Sequence, residues 1–137
     1  MIVGLSHACF VVSDLDRGLR FYGDALGLKL AFELKVPEAG LEGVYLHVGG
    51  RTFIELFKGE PAPSQPNASY KHICLEVDDM ESTVAALRER GADVSEVKLG
   101  QDGSYQAWLT DPDGNRVELH QFTPQSLQLA ALGGAQG

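Results

Sequence analysis

The chain repeats itself. Leu5-Ser6-His7-Ala8-Cys9-Phe10-Val11-Val12 near the N-terminus is echoed by Tyr70-Lys71-His72-Ile73-Cys74-Leu75-Glu76-Val77. In both, a histidine stands third, a cysteine fifth, and apolar residues sixth and eighth. An acidic helix start follows at the same distance, Asp14 after His7 and Asp79 after His72. The first copy runs on to Phe53-Ile54-Glu55-Leu56 and the second to Arg116-Val117-Glu118-Leu119. Two copies of one sequence must fold alike, so the expected class is α+β, built from two tandem β-α-β-β-β modules. At 137 residues a single domain over 1–137 is expected, with module one at 4–58, a linker at 59–69, module two at 70–122 and a C-terminal tail at 123–137.

Alternation places Leu5, His7, Cys9 and Val11 on one face of a strand over 4–12, and Ser6, Ala8, Phe10 and Val12 on the other. Ser13 or Asp14 caps a helix, with Asp16 as a capping-box variant; Leu15, Leu19, Tyr22 and Leu26 recur at helical spacing and Gly27 ends it. A strand over 28–36 and a loop broken by Pro37-Glu38-Ala39-Gly40 come next. Strands 43–48 and 52–57 are joined by a Gly49-Gly50 hairpin turn. Tyr45 and His47 share one face, Phe53, Glu55 and Phe57 another. Prolines punctuate the linker. In the second copy His72, Cys74 and Glu76 share a face. Asp78 or Asp79 caps a helix that turns Met80, Val84 and Leu87 inward and stops at Gly91. Strands are expected at 92–99, 105–110 and 115–122, with turns at Gln101-Asp102-Gly103 and Asp111-Pro112-Asp113-Gly114. Gln121 onward forms a loose tail in which Leu127, Leu129 and Leu132 are placed to dock as a short helix.

A net charge of −8 argues against nucleic acid, whose phosphates require a basic stripe. No apolar run reaches the roughly 18 residues of a membrane span. Met1 to Val12 lacks the basic, apolar and cleavage segments of an export signal, so a cytoplasmic location is expected. Cys9 and Cys74 lack Cys-x-x-Cys spacing and read as buried or cleft-lining free thiols.

Glu55 among Phe53, Ile54, Leu56 and Phe57 needs a cation, because an unpaired buried carboxylate costs several kcal/mol. His7 and His72 on first strands and Glu55 and Glu118 on last strands occupy equivalent places, facing away from the helix-covered side. Two nitrogens and two carboxylate oxygens suit one divalent ion, whether nickel, cobalt, zinc, manganese or iron, with positions left for water and substrate. His47 and His120 have no histidine partner in the other module. Tyr45, His47, Cys9, Cys74 and Trp108 are the candidate contacts to a small-molecule substrate.

The paired histidine strands, Asp14-Leu15-Asp16-Arg17 with Phe21-Tyr22 and Leu26-Gly27, and Asp111-Pro112-Asp113-Gly114-Asn115 before Val117-Glu118-Leu119 carry a family likeness. Over about residues 4–122 the chain resembles the vicinal oxygen chelate superfamily, and within it small proteins of glyoxalase I (lactoylglutathione lyase) type. The resemblance implies a metal set of His7, Glu55, His72 and Glu118, a cup-shaped mixed sheet with helices on its outer face, and a homodimer. It also implies a lyase or isomerase acting on an α-hydroxycarbonyl compound or its thiol adduct through an enediolate, with Glu118 as base and Glu55 second. The Leu34 to Val44 stretch carries no cluster of Arg, Lys and Asn that maps onto glutathione contacts. Two alternatives stand beside this reading. One is a metal-independent sequestration protein of the bleomycin-resistance kind, which the acidic charge suits. The other is an epimerase such as methylmalonyl-CoA epimerase, whose members usually carry Gln at the Glu55 position.

Overall fold

The computed structural model of the chain describes residues 1–62 and 65–133. Positions 63–64 of the expected linker and 134–137 of the expected tail lie outside the described residues. The chain divides between residues 64 and 65 into two compact units, each carrying one four-stranded mixed sheet, in an α+β fold.

In the first unit β1 (His7–Val12) is followed by α1 (Leu15–Leu19), β2 (Lys29–Val36), β3 (Leu41–Gly49) and β4 (Thr52–Lys58). The strand order is β1-β4-β3-β2; β1 runs parallel to β4 and the other pairs are antiparallel. The alternation seen in the sequence decides which side is covered. Phe10, Val12, Val44, Leu46, Ile54 and Leu56 are buried together with Tyr22 from the helical segment. Each such side chain contributes on the order of 1.5–3 kcal/mol. The opposite face holds His7, Cys9, Tyr45, Phe53, Glu55 and Phe57.

The second unit repeats the plan with β5 (Ile73–Glu76), α2 (Met80–Glu89), β6 (Lys98–Leu99), β7 (Tyr105–Thr110) and β8 (Arg116–Gln121), in the order β5-β8-β7-β6. Met80, Val84 and Leu87 are buried, as their spacing requires, with Val94, Ala107, Leu109, Val117 and Leu119. Asp79 caps α2 by accepting from the Ser82 amide at 2.7 Å. Gly91, at φ 83°, closes α2: its amide donates to Arg88 O and the Ala92 amide to Leu87 O, the Schellman pattern.

Several local expectations are corrected. Asp14, accepting from the Arg17 amide at 2.9 Å, caps the first helix. After Leu19 the helix widens into a π-helical turn, Arg20–Ala25, where the Leu26 amide reaches back to Phe21 O. The expected loop over 37–42 is a continued hairpin: a single 3-10 turn, Pro37–Ala39, and Gly40 at φ 64° return the chain at once into β3. The tight turn between β3 and β4 is Gly50-Arg51, because Gly49 already pairs with Thr52. The strand expected over 92–99 shrinks to Lys98–Leu99. There the Ser95 hydroxyl accepts the Trp108 amide at 2.9 Å, taking the donor a regular ladder would use.

The described part of the tail, 123–133, forms α3 (Leu127–Ala131). Leu127 and Leu132 are each 64% exposed and Leu129 is half-buried, so one leucine packs and hydrogen bonds add to it. Ser104 Oγ meets Ser126 Oγ at 2.7 Å, Gln128 Nε2 donates to Asp102 Oδ2 at 2.6 Å, and the Leu127 amide donates to Asp102 O. Among the described residues no helix is long and apolar enough to cross a membrane.

Candidate functional site

In the first unit, parallel pairing puts Cys9 opposite Glu55, and antiparallel pairing puts Tyr45 on the other side of the same glutamate. His7 begins β1 one side-chain step away. Its Nε2 lies 3.0 Å from Glu55 Oε2; the glutamate side chain is 6% exposed and the imidazole 41%. The Tyr45 hydroxyl donates to Glu55, and that bond first, then partial desolvation, pushes its pKa up to about 12. The Cys9 thiol is pushed up by desolvation first and by the Glu55 charge second. Both groups therefore stay protonated and act as donors to the carboxylate. Tyr45 stacks on Phe32 at 4.4 Å and meets His7 edge-on at 5.7 Å.

The second unit reproduces the register residue for residue. Cys74 stands opposite Glu118 on one side and Trp108 on the other. His72, immediately before β5, brings Nε2 to 3.0 Å from Glu118 Oε2, with the side chains 36% and 12% exposed. Trp108 meets His72 edge-on at 4.8 Å and carries the Arg116 guanidinium 4.3 Å from its ring centre. The Cys74 thiol is pushed up to about 12, by desolvation first and the Glu118 charge second.

Eight of the nine candidate residues thus fall into two equivalent clusters: His7, Cys9, Tyr45 and Glu55, and His72, Cys74, Trp108 and Glu118. His47 stands apart. Its Nε2 donates to Gly50 O at 3.0 Å and its ring packs on Phe53, which ties it to its own hairpin turn. His120 pairs with Asp102 at 3.1 Å and is buried. Phe32 and Arg116 join these clusters without standing among the sequence candidates. Arg116 had a signal, since it precedes Glu118 by two residues and so shares its face.

Among the described residues no three His, Cys, Asp or Glu side chains are gathered as a ready metal site. Each pair supplies one nitrogen and one oxygen. Their 3.0 Å separation is that of a hydrogen bond, and also of two neighbouring ligands at about 2.1 Å and a right angle. The donor chemistry fits a divalent ion.

With this geometry in hand, residues 4–119 match the family described as the glyoxalase/bleomycin resistance protein/dioxygenase superfamily. The chain belongs to that superfamily. Among curated members it is similar to a putative lactoylglutathione lyase from Brassica oleracea var. gemmifera, 32% identical over 86% of this chain. It spans only 44% of that relative's length. It is also 31% identical to the metallothiol transferase FosB of Staphylococcus epidermidis, covering 89% of this chain and 84% of that protein. Among solved structures, a glyoxalase family protein from Enterococcus faecalis aligns with a TM-score of 0.75 at 28% identity, over 85% of this chain and 96% of the other. TnmS3, an antibiotic binding protein from Streptomyces sp. CB03234, aligns with a TM-score of 0.73 at 27% identity, over 89% and 98%. The chain is thus similar to proteins named for catalysis and to a protein named for antibiotic binding.

Proposed function

We propose that the chain is a metal-dependent lyase or isomerase of the glyoxalase I type, acting on an α-hydroxycarbonyl compound or its thiol adduct. His7, Glu55, His72 and Glu118 are the proposed ligands, and a divalent ion bound there would polarise adjacent substrate oxygens. The observation that supports this reading is the duplicated pair: His Nε2 and Glu Oε2 at 3.0 Å in both units, at matching register positions. A duplicated strand has no packing reason to keep a half-exposed histidine against a buried glutamate twice.

The two carboxylates are not equivalent. Glu55 accepts from His7, the Cys9 thiol and the Tyr45 hydroxyl, so its oxygens are heavily committed. Glu118 has Trp108 where Glu55 has Tyr45, and indole places no hydroxyl there. It keeps more free lone pairs and is the proposed proton carrier between neighbouring substrate carbons. Cys74 and His72 hold its orientation.

Metal content of the purified protein, together with the melting temperature on adding nickel, cobalt or zinc, tests the ligand set, since a ion that binds only the folded state must stabilise it. Solvent-deuterium incorporation next to the carbonyl, across a panel of α-hydroxycarbonyl compounds and thiol adducts, tests the reaction. Failure of both sets of measurements overturns the reading.

Antibiotic sequestration is the second reading. It draws on the likeness to TnmS3 and on Phe32, 48% exposed and stacked on Tyr45, which offers an aromatic platform without chemistry. Saturable binding with no deuterium exchange would favour it. A homodimer is proposed with either reading. The outer strand β2 exposes Leu30 and Phe32, and light scattering at the 14.8 kDa of one chain would refute it.

A further inference from the structure

The uncovered faces of the two sheets differ most at one equivalent pair of positions. Two residues before Glu55 stands Phe53, and two residues before Glu118 stands Arg116. Arg116 has its guanidinium 4.3 Å from the Trp108 ring centre, and among the described residues it has no carboxylate partner. In a chain with 19 acidic and 11 basic residues, a guanidinium left without a counter-ion is a charge available to something else. Trp108 links it to the reacting groups, since the same ring touches His72 edge-on at 4.8 Å and stands opposite Glu118. The stack fixes the guanidinium plane while leaving its N–H edge free to make the two-pronged contact a carboxylate fits. A cavity of about 430 Å³ lies beside the indole, lined by Ser95, Glu96, Lys98, Gln106 and Trp108.

We propose that Arg116, held on Trp108, is the anion-recognising residue of this site, and that the substrate carries a carboxylate or similar anionic arm. The arm's distance from the reacting carbonyl follows from the strand. Side chains two residues apart on one face are spaced roughly 6.5–7 Å, so the arm is a few bonds removed from the carbon that Glu118 serves. The inference rests on the proposed function for the position of the reacting centre. Arg116 binds and orients; it moves no proton.

Trp108 is the chain's one tryptophan, so its fluorescence reports occupancy directly. The probe is glutarate, with its neutral diamide as control, titrated into the full-length, metal-replete protein. Glutarate should change the emission saturably and the diamide should not. Arg116→Gln should weaken glutarate binding about ten- to a hundredfold, the worth of a charge-assisted contact, whereas Arg116→Lys should lose only part of that. Arg51→Gln, which makes the same charge change at the β3–β4 turn, should bind as the wild type does. In turnover, Arg116→Gln should raise KM for carboxylate-bearing substrates while sparing kcat. Equal binding of glutarate by wild type and Arg116→Gln, an equal response to the diamide, or no response to glutarate in wild type would overturn the proposal. Binding through Arg116 in a protein that neither holds metal nor exchanges deuterium would keep the anion subsite and overturn the enzymatic reading. Turnover of carboxylate-bearing substrates unaffected by Arg116→Gln would do the reverse.

Discussion

The uncovered face of the first sheet is aromatic and that of the second is polar, although both were built from one repeat. Phe32, Tyr45, Phe53 and Phe57 surround the His7–Glu55 pair, whereas Trp108, Arg116, Gln106 and His120 surround His72–Glu118. The positions that stayed the same are the histidine, the cysteine and the glutamate, together with the apolar alternation underneath. What changed is everything that a small molecule would meet beyond those groups. A duplicated module can hold its donor atoms fixed by register while each copy acquires its own recognition chemistry, because on a strand the neighbours two residues away vary independently.

The largest expected difference between the copies is catalytic. Glu118→Gln should lower deuterium exchange by roughly 10²–10⁴-fold, the usual cost of losing a general base. Glu55→Gln, at the carboxylate already held by Tyr45 and Cys9, should cost less in kcat and more in metal retention. Equal losses of exchange in the two variants would break the assignment of different roles.

The two cores should weigh alike. Leu46→Ala in the first unit and Met80→Ala in the second empty fully buried sites, and each should cost about 2–5 kcal/mol in urea unfolding. A cost below about 1 kcal/mol for either would show that its unit is not packed like its twin.

Turns should separate the units more finely. Gly40 and Gly103 both adopt positive φ, 64° and 82°, but a Cβ at Gly40 meets nothing while one at Gly103 would lie 2.5 Å from Gln125 O. Gly40→Ala should cost about 1–2 kcal/mol from backbone strain alone. Gly103→Ala should exceed it and loosen α3, read as faster hydrogen exchange at the Leu127 amide.

The smallest effect is a pH response confined to the second unit. Asp102 is held below the usual carboxylate range, chiefly by the bond from Gln128 and then by the Ser104 amide. A carboxylate depressed in the folded state contributes stability that is present above its unfolded value, near 4, and lost as pH falls through the folded one. Exchange at the Leu127 amide should therefore rise below about pH 4 in wild type, and Asp102→Asn should flatten that rise. A wild type that shows no such rise would remove Asp102 as the latch of α3.

Much of this molecule was written in the sequence. The repeat of His7-Ala8-Cys9 and His72-Ile73-Cys74, with Glu55 and Glu118 at matching places, determined the two-fold plan. Strict alternation determined the buried faces of β1, β4 and β8, since a one-residue slip would turn Phe10 and Val12 to water. Asp79 and Gly91 marked α2 because capping is a local bond. Tertiary structure decided the rest. Which residues flank Glu55 and Glu118 depends on strand order and register between segments far apart in the chain, so Cys9 with Tyr45 and Cys74 with Trp108 became neighbours only on folding. The same is true of α3, where Asp102 and Ser104 hold Gln128 and Ser126 by hydrogen bonds that carry no periodic signal. Local patterns in a sequence report what a residue does with its neighbours in the chain; pairings across a sheet exist only once loop-closure entropy has been overcome by packing.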